Sequence, residues 1–248
     1  MEPLLVATLN LRAIFDRWDE RLPLLLADMA ALQPDLLGLQ EVVYPVQQDR
    51  LLAAAGAGEY EVVRGWAGRP EFGNSLLVRR PLAVERVGRL ELGLDRAAHC
   101  ALVARPGGPR VVFCVTHLHH PPDAHSARLD QVERLLAWPA LVSSDSPSIV
   151  VGDFNADPAE PAYSRMVEAG FRSAFREANG TEPRVTWPSG LVAPAIDTDG
   201  EPDCLDYIWL RGDARVASAR LVFDRPAVGD PGLYPSDHFG MAARVNVL

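Results

Sequence analysis

The stretch Ile149-Val150-Val151-Gly152-Asp153-Phe154-Asn155 joins a short apolar run to a polar segment. The apolar run predicts a short buried strand, Ile149–Val151, that ends at Gly152. Asp153 and Asn155 then follow the strand end, which is where open sheets commonly place ligands and catalytic groups. Ordinary turn chemistry gives the same pattern, so the interpretation depends on what the rest of the chain shows.

Polar side chains also occur at the ends of other predicted strands. Asn10 ends the first strand, Glu41 ends the second, and His117 ends a central one. Asp237 and His238 immediately precede the last strand. The strand ends are therefore the expected location of a functional site.

Apolar and alternating runs predict a chain in which strands outnumber helices. The predicted strands are Leu4–Asn10, Leu36–Gln40, Ser75–Val78, Ala83–Leu90, Cys100–Ala104, Val111–Thr116, Ile149–Val151, Cys204–Leu210, which contains Asp206, Val216–Phe223 and Met241–Val247. Helical spacing of apolar residues predicts helices at Asp19–Gln33, with Pro23 in the first turn and Pro34 at the end, and at Ala124–Trp138. Gly107-Gly108 indicates a hairpin between two of the strands. This mixed α+β content predicts two packed sheets flanked by helices in a single domain, residues 1–248.

The composition is typical of a globular protein that is large enough to bury a core. The chain has 248 residues, of which 48% are hydrophobic and 23% charged. No run approaches the roughly 18 apolar residues that a membrane span requires. Met1–Asn10 lacks the cationic and apolar regions of a signal peptide, so we expect it to be a strand of the mature protein.

The charge balance disfavours a large nonspecific nucleic-acid footprint. Lys and Arg total 24 against 33 acidic residues, which gives a formal net charge of −9. Proteins that hold duplex phosphates over a long stretch usually carry a basic face. Local basic patches remain compatible with this net charge.

Three cysteines, Cys100, Cys114 and Cys204, are scattered along the chain and form no CxxC pair. An odd number at such spacing argues against a disulfide framework and against a zinc site. We therefore expect buried free thiols and, from them, a cytoplasmic location.

The chemistry of the strand-end residues favours a hard cation. Glu41, Asp153, Asn155 and Asp237 all offer oxygen atoms, which suit magnesium. Histidines and asparagines add donors for phosphate oxygens and a candidate base. Together they are the minimum set for metal-assisted hydrolysis of a phosphoester.

Seven motifs that contain these residues occur in a fixed order. They are Thr8-Leu9-Asn10, Leu39-Gln40-Glu41, Gly73-Asn74-Ser75-Leu76-Leu77, Thr116-His117-Leu118, Gly152-Asp153-Phe154-Asn155, Leu205-Asp206-Tyr207-Ile208 and Ser236-Asp237-His238. The set resembles the endonuclease/exonuclease/phosphatase superfamily, which includes deoxyribonuclease I, and it covers nearly the whole chain. The resemblance implies a four-layered α/β/β/α sandwich and a metal-dependent phosphoester hydrolase.

The resemblance also implies a metal site. Glu41 is similar to the principal metal ligand of the family, and Asn10 lies beside it. Asp237 is similar to the second acidic residue of the metal site. The implied cofactor is Mg²⁺, for which Mn²⁺ often substitutes at oxygen-rich sites.

The catalytic residues implied by the resemblance lie in the other motifs. Asp153 is similar to the residue that orients or deprotonates the attacking water, and Asn155 is similar to a donor to the scissile phosphate. His117 resembles a second phosphate contact. His238 resembles the catalytic histidine, which Asp206 holds in place.

The Asp206–His238 pair also has a chemical basis that is independent of the resemblance. A carboxylate that accepts a hydrogen bond from one ring nitrogen fixes the tautomer and raises the basicity of the imidazole. The other nitrogen can then face a phosphate. Imidazolium would stabilise developing charge, whereas neutral imidazole would act as a base, and the sequence leaves both open.

Four further residues are expected substrate contacts: Asn74, His120, Arg12 and Trp187. Arg12 either contacts a phosphate or pairs with a nearby acid. Trp187 either stacks on a flat substrate group or anchors a loop. His119 and His120 resemble a metal cluster, although Pro121-Pro122 indicates a loop instead.

The longest irregular stretch, Gly180–Pro202, is the candidate specificity loop. Its acidic residues are Glu182, Asp197, Asp199 and Glu201. These acids would repel a long polyanion, so a compact substrate is favoured. The first hypothesis is a phosphodiesterase that acts on a short nucleic acid or a small diester. The alternatives are a phosphomonoesterase acting on a sugar or inositol phosphate and a catalytically silent binding domain. No obligate protein partner is evident.

Overall fold

The structure, a computed structural model, describes residues 2–44, 46–56, 58–67, 69–138, 141, 146–194, 196 and 201–248. The strands in these residues are β1 (Leu4–Asn10), β2 (Leu36–Val43), β3 (Tyr60–Ala67), β4 (Arg69–Arg79), β5 (Ala83–Gly93), β6 (Arg96–Ala104), β7 (Val111–His117), β8 (Ser148–Asp153), β9 (Arg172–Ser173), β10 (Asp206–Arg211), β11 (Ala214–Val222) and β12 (Gly240–Val247). The helices are α1 (Trp18–Leu32), α2 (Val46–Gly56), α3 (His125–Leu136), α4 (Pro161–Glu168) and α5 (Ala174–Asn179).

The strands form two six-stranded mixed sheets. The first has the order β11-β12-β1-β2-β4-β3, and the second has the order β5-β6-β7-β8-β10-β9. Each sheet contains a parallel pair that is joined through a helix, β1–α1–β2 in the first and β7–α3–β8 in the second. Two parallel neighbouring strands need such a crossover, because the chain must return to the end of the sheet where the first strand began.

The two sheets pack face to face over an apolar core. Val6, Leu76, Val115, Val151 and Ile208 come from both sheets, and each is fully buried in this core. At about 1.5–3 kcal/mol for each fully buried large aliphatic side chain, such a layer is the main source of stability.

Helices cover the outer face of each sheet. Leu25 and Met29 of α1 pack on the outer side of β2, and Val132 and Leu135 of α3 pack on the outer side of the second sheet. The layering is therefore helix, sheet, sheet, helix, which confirms the expected α/β/β/α sandwich.

The predicted strands and both predicted helices are present, mostly with longer bounds. Helix α1 begins at Trp18, so Pro23 is its sixth residue. The prediction that this proline lies in the first turn was wrong, and its missing N–H removes a bond to the carbonyl of Asp19. The sequence reading omitted α2, β3, α4, β9 and α5, which are short or weakly patterned.

The expectation of three free thiols was also wrong. Cys100 and Cys114 are directly opposed on the antiparallel strands β6 and β7, and they form a disulfide. The linear spacing concealed this contact, because the hairpin brings together residues that are 14 positions apart. Cys204 is a buried free cysteine, as expected. No helix within the described residues is long and apolar enough to cross a membrane.

Candidate active site

A cavity of about 1190 Å³ opens where the strand ends of the two sheets meet. The expected site residues that line it are Asn10, Arg12, Glu41, Asn74, His117, His120, Asp153, Asn155, Trp187, Asp237 and His238. Asp206, the remaining expected residue, lies behind His238 with no solvent exposure. The structure thus brings the whole expected set to one place, while the roles of its members stay predictions.

Strand register explains this convergence. Asn10 pairs with Gln40 at the end of β1–β2, and His117 pairs with Asp153 at the end of β7–β8. Because both parallel pairs end at the same edge of the sandwich, their last side chains meet between the sheets. The Asn10 amide Nδ2 donates to Asp153 Oδ2 over 2.9 Å and approaches Glu41 Oε1 at 3.4 Å.

A β-bulge directs Glu41 into the cavity. The register between β2 and β4 shifts between Leu39 and Val42, and Glu41 has a positive φ of 54°. A non-glycine residue in this left-handed region costs on the order of 1–3 kcal/mol and is often found at functional sites. The bulge places Glu41 at the cavity, where its carboxylate interacts electrostatically with that of Asp237.

Glu41 and Asp237 fit a cation. Burial raises the pKa of Glu41, and the negative charge of Asp237 raises it further. One or two carboxylates, with water completing the shell, are the ligands by which proteins usually hold Mg²⁺. The hydroxyl of Ser236 donates to the Asn10 carbonyl over 2.6 Å, which fixes the Asp237 segment against β1.

A second group of potential ligands lies next to this pair. Ligand atoms of Asp153, Asp206 and His238 all lie within 4.8 Å of one another. His238 Nδ1 is 2.9 Å from Asp206 Oδ2, so these two side chains are already paired. Glu41 and Asp237 therefore remain the better oxygen set for a hard cation, with Asp153 at the border between the two groups.

Electrostatics set the protonation of His238. Burial opposes its charge, but the carboxylates of Asp206, Asp153 and Asp237 outweigh burial and raise the pKa of His238 to about 10. The imidazole is thus held as a cation with Asp206 as its partner, while Nε2 lies 3.7 Å from Asp153 Oδ2. Of the two roles that the sequence left open, this arrangement favours the one in which imidazolium stabilises charge.

Asp153 has the properties of a proton acceptor. It is almost completely buried, and burial raises its pKa to about 7, against the opposing effect of His238. A base is most effective when its pKa lies near the working pH. His117 Nε2 lies 3.4 Å from the same Asp153 oxygen. Burial, with the nearby charge of Arg96, lowers the pKa of His117 well below its usual value.

The backbone around Asp153 needs glycine. A Cβ built on Gly152 would overlap the carbonyl oxygen of Thr116 on the neighbouring strand. Beyond it, the backbone N–H of Asn155 donates to Asp153 Oδ1 over 2.9 Å, and the Asn155 amide donates to the Leu118 carbonyl over 3.1 Å. Asn155 therefore shapes the loop as well as lining the cavity.

The alternatives for Arg12 and Trp187 are both represented in the structure. Arg12 Nε pairs with Asp16 at 2.8 Å and lies 3.7 Å from Asp237, yet the side chain also lines the cavity. Trp187 is anchored through backbone hydrogen bonds with Asp203 in both directions, while it also lines the cavity.

The histidines after His117 form a loop, as Pro121-Pro122 indicated. The His119 backbone N–H donates to Gln131, and His120 Nδ1 lies 3.1 Å from the Arg96 guanidinium. Among the described residues, no group of potential metal ligands includes these two histidines.

The candidate specificity loop contributes less to the cavity than expected. Glu182 is held away from it by Tyr163 and Ser173, at 2.7 and 3.0 Å. Glu201 lines the cavity, together with Asp203. Asp197 and Asp199 lie outside the described residues.

Sequence reasoning missed three arginines near the site. Arg21 and Arg128 are fully buried and support the loops of the site, and Arg96 lines the cavity itself. The sequence carried one signal for them, which is an arginine within an otherwise apolar helical stripe or at the start of an apolar strand. Their partners became visible only in the folded structure.

The family model of the Endonuclease/Exonuclease/phosphatase family matches residues 7–238. The chain therefore belongs to this family, whose members are phosphoester hydrolases that generally depend on a metal. It is 27% identical to Nocturnin of Xenopus laevis over 260 residues, covering 91% of this chain and 64% of that protein. The chain thus spans less than two thirds of the length of this curated relative.

Two solved structures illustrate the range of the fold. TDP2 of D. rerio, complexed with a single-strand DNA product, has a TM-score of 0.80 at 19% identity and covers 98% of this chain and 99% of its own. The mannosyl-6-phosphatase Bt3783 of Bacteroides thetaiotaomicron has a TM-score of 0.77 at 19% identity with the same coverages. At these identities the likeness establishes the fold alone.

Proposed function

We propose that the protein is a Mg²⁺-dependent phosphodiesterase in which Mn²⁺ can replace Mg²⁺. The observation that carries this proposal is the hydrogen bond between Asn10 and Asp153. It joins Asn10 of the first sheet, which also contacts Glu41, to Asp153 of the second sheet, which lies 3.7 Å from His238 Nε2. Acidic ligands, a candidate base and a cationic imidazole then surround one volume in which a phosphate fits.

Each group has a proposed role in the reaction. Glu41 and Asp237, with Asn10 beside them, would hold the metal ion, which supplies charge stabilisation at the phosphate. Asp153 accepts the proton of the attacking water or orients it, since its pKa of about 7 suits a base. His238 donates a hydrogen bond to a phosphate oxygen from Nε2, while Asp206 holds Nδ1. His117 and Asn155 line the same volume as further phosphate contacts.

The proposed substrate is a small diester or a short nucleic acid. Glu201 and Asp203, which line the cavity, disfavour a long polyanion, and the chain carries a net charge of −9. The D. rerio neighbour with a single-strand DNA product is compatible with the nucleic-acid branch of this proposal.

A phosphomonoesterase is the second candidate. Arg12 and Arg96 add guanidinium donors to the cavity lining, and these would suit the terminal dianion of a monoester. The mannosyl-6-phosphatase among the structural neighbours acts, by its name, on such a group. The third hypothesis is a silent binding domain, for which loss of one or more core site residues would be expected; the chain retains all of them, in or directly behind one cavity.

The predicted cytoplasmic location stays a prediction. The Cys100–Cys114 disulfide removes the argument on which it rested, because disulfides are rare in reducing compartments.

Product analysis tests the proposal. We would incubate the protein and the Asp153→Ala variant with an aryl phosphodiester and an aryl phosphomonoester, with Mg²⁺ or Mn²⁺. A phosphodiesterase should release aryl alcohol from the diester without releasing inorganic phosphate, and the variant should release neither. Phosphate release from the monoester alone supports the second candidate. No turnover of either substrate with both metals would contradict both proposals.

A further inference from the structure

Arg96 lies at the cavity as the first residue of β6. The Asn74 amide on β4 donates to the carbonyl of Ala97 over 3.2 Å, which ties the start of β6 to the first sheet beside the site. Backbone contacts of β6 therefore position Arg96, and its side chain is not needed to hold it there. Its guanidinium is left to interact with what the cavity holds.

The buried arginines elsewhere have their donors occupied. Arg21 donates to the carbonyls of Leu11, Arg12, Ala13, Phe15, Asp16 and Pro235. Arg128 binds both oxygens of Glu160 and the carbonyls of His119, Pro121 and Pro122. These two side chains fasten the loops of the site and have little capacity left for a ligand.

Arg96 differs from them in what it binds. Within the described residues its one hydrogen-bond contact is with His120 Nδ1 at 3.1 Å, and no carboxylate lies within ion-pair distance of its guanidinium. A guanidinium has five N–H donors, so most of the donors of Arg96 remain unused. His120 holds one amino group of the guanidinium without neutralising its charge.

The charge of Arg96 is only partly compensated. Burial lowers the pKa of Arg96, and the more distant carboxylates of Asp153 and Glu41 offset part of this effect. Burial lowers the pKa of His117, and the positive charge of Arg96 lowers it further. A partly desolvated cation with unused donors, facing the reacting carboxylates, is the environment in which an anion binds strongly.

We propose that Arg96, oriented by His120, donates to two oxygens of the substrate phosphate and is a catalytic residue of this site. The planar fork of the guanidinium matches two phosphate oxygens, which a lysine cannot do. The inference rests on the proposed function for its catalytic consequence, but phosphate binding can be measured without turnover. His120 is a positioning residue in this arrangement.

The decisive experiment measures binding of inorganic phosphate to the metal-loaded protein by calorimetry. Arg96→Ala is expected to weaken phosphate binding about tenfold or more, since a hydrogen bond to a charged group is lost. Arg96→Lys is expected to bind with intermediate strength. Arg110→Ala is the matched control, because Arg110 is exposed, pairs with Glu85 and precedes the opposite end of β7.

Turnover of the aryl diester gives the second readout. Arg96→Ala is expected to lower kcat/KM about 10²–10³-fold, as removal of a donor to a developing anion does. Added guanidinium ion should restore part of the rate of this variant. The variant should also keep nearly the melting temperature of the wild type, since the Arg96 side chain has one hydrogen-bond contact among the described residues, with His120. His120→Ala should cost less than Arg96→Ala and add little to it in the double variant.

The outcomes separate the two proposals. Phosphate binding that Arg96→Ala leaves unchanged would overturn the role of Arg96, whatever the activity of the wild type. Loss of binding in Arg96→Ala, with a wild type inert towards every substrate, would uphold the anion site and contradict the proposed hydrolase. If Arg96→Ala unfolds, Arg96→Lys becomes the test. Phosphate binding by Arg96→Lys as strong as that of the wild type would overturn the proposed contact of the guanidinium with two phosphate oxygens.

Discussion

The Asp206 side chain has no solvent exposure, and its Oδ2 lies 2.9 Å from His238 Nδ1. This carboxylate is also one of the groups that raise the pKa of His238. Asp206 therefore stabilises the positive charge of the His238 imidazole and also orients the ring. At the scale of single residues, the chemistry of the site depends on the protonation states of buried groups such as His238 and Asp153.

Replacing Asp206 by asparagine separates these two effects. Asp206→Asn keeps the size and a hydrogen-bond acceptor but removes the negative charge, so we expect kcat to fall about 10²-fold. Steady-state hydrolysis of the aryl diester measures the change. Asp213→Asn, at an exposed position, is the control. A variant within about threefold of the wild type would show that the charge of Asp206 does not support catalysis.

His99 gives a pH prediction that is independent of the site. It is 3% exposed, and burial, aided by the charge of Arg89, lowers its pKa to about 4. The unfolded chain binds a proton near pH 6.5, so the unfolded state gains stability as the pH falls from about 6.5 towards 4. The folded state therefore has its full stability, as far as His99 is concerned, only above about pH 6.5.

Urea unfolding of the wild type and His99→Leu at pH 7.5 and pH 5 tests this effect. On acidification the wild type is expected to lose roughly 2 kcal/mol more than the variant. Equal losses in the two proteins would mean that His99 titrates normally in the folded state.

At the scale of elements, the two βαβ units explain why the site forms. Asn10 and Glu41 end one unit, and His117 and Asp153 end the other. Close approach of the sheets keeps the two pairs in contact. Gly38 on β2 permits this approach, because a Cβ there would overlap Val151 Cγ2 on β8.

Gly38→Ala is therefore expected to destabilise the fold by about 1–3 kcal/mol, the usual cost of overpacking a core. Denaturant unfolding measures the loss. Val151→Ala should make room for the new methyl group, so the double variant should be more stable than the sum of the two single effects. Simple additivity would show that the two residues do not compete for space.

The elements also show what the sequence was able to predict. β1, β7 and β8 have continuous apolar runs, and their predicted positions were right to within two residues or fewer at each end. Helix α2 carries a weak apolar pattern, and β9 has two residues, so neither gives a usable periodic signal. The β2 bulge at Glu41 was not predictable, because it arises from pairing with β4.

The same limit applies to the site. The convergence of Asn10, Asp153 and His238 on one cavity was predictable because these residues lie in recognisable motifs, whereas their roles stay proposals. Arg96 and the disulfide partners Cys100 and Cys114 depend on contacts between strands that are distant along the chain or joined by a hairpin. Spacing along one chain does not show such contacts.

At the scale of the whole molecule, charge favours small substrates. The net charge is −9, and the cavity lining includes the acidic residues Glu201 and Asp203 beyond the carboxylates of the proposed metal site. We expect short single strands or small diesters to be hydrolysed faster than duplex DNA, with KM depending only weakly on salt. Rates on matched single-strand and duplex oligonucleotides from 50 to 200 mM salt measure this. A steep loss of duplex cleavage with salt would instead indicate a basic surface that contacts many phosphates.

The initial rate of phosphoester hydrolysis against Mg²⁺ concentration tests the central claim most directly. After treatment with a chelator the wild type should be inactive, and added Mg²⁺ should restore its rate. Glu41→Gln should need far more Mg²⁺ and reach a lower rate, because it removes the proposed metal ligand next to Asp237. The exposed control Glu91→Gln should match the wild type. A rate that survives chelation, or a Glu41→Gln curve that overlays the wild type, would contradict a metal centre at these carboxylates.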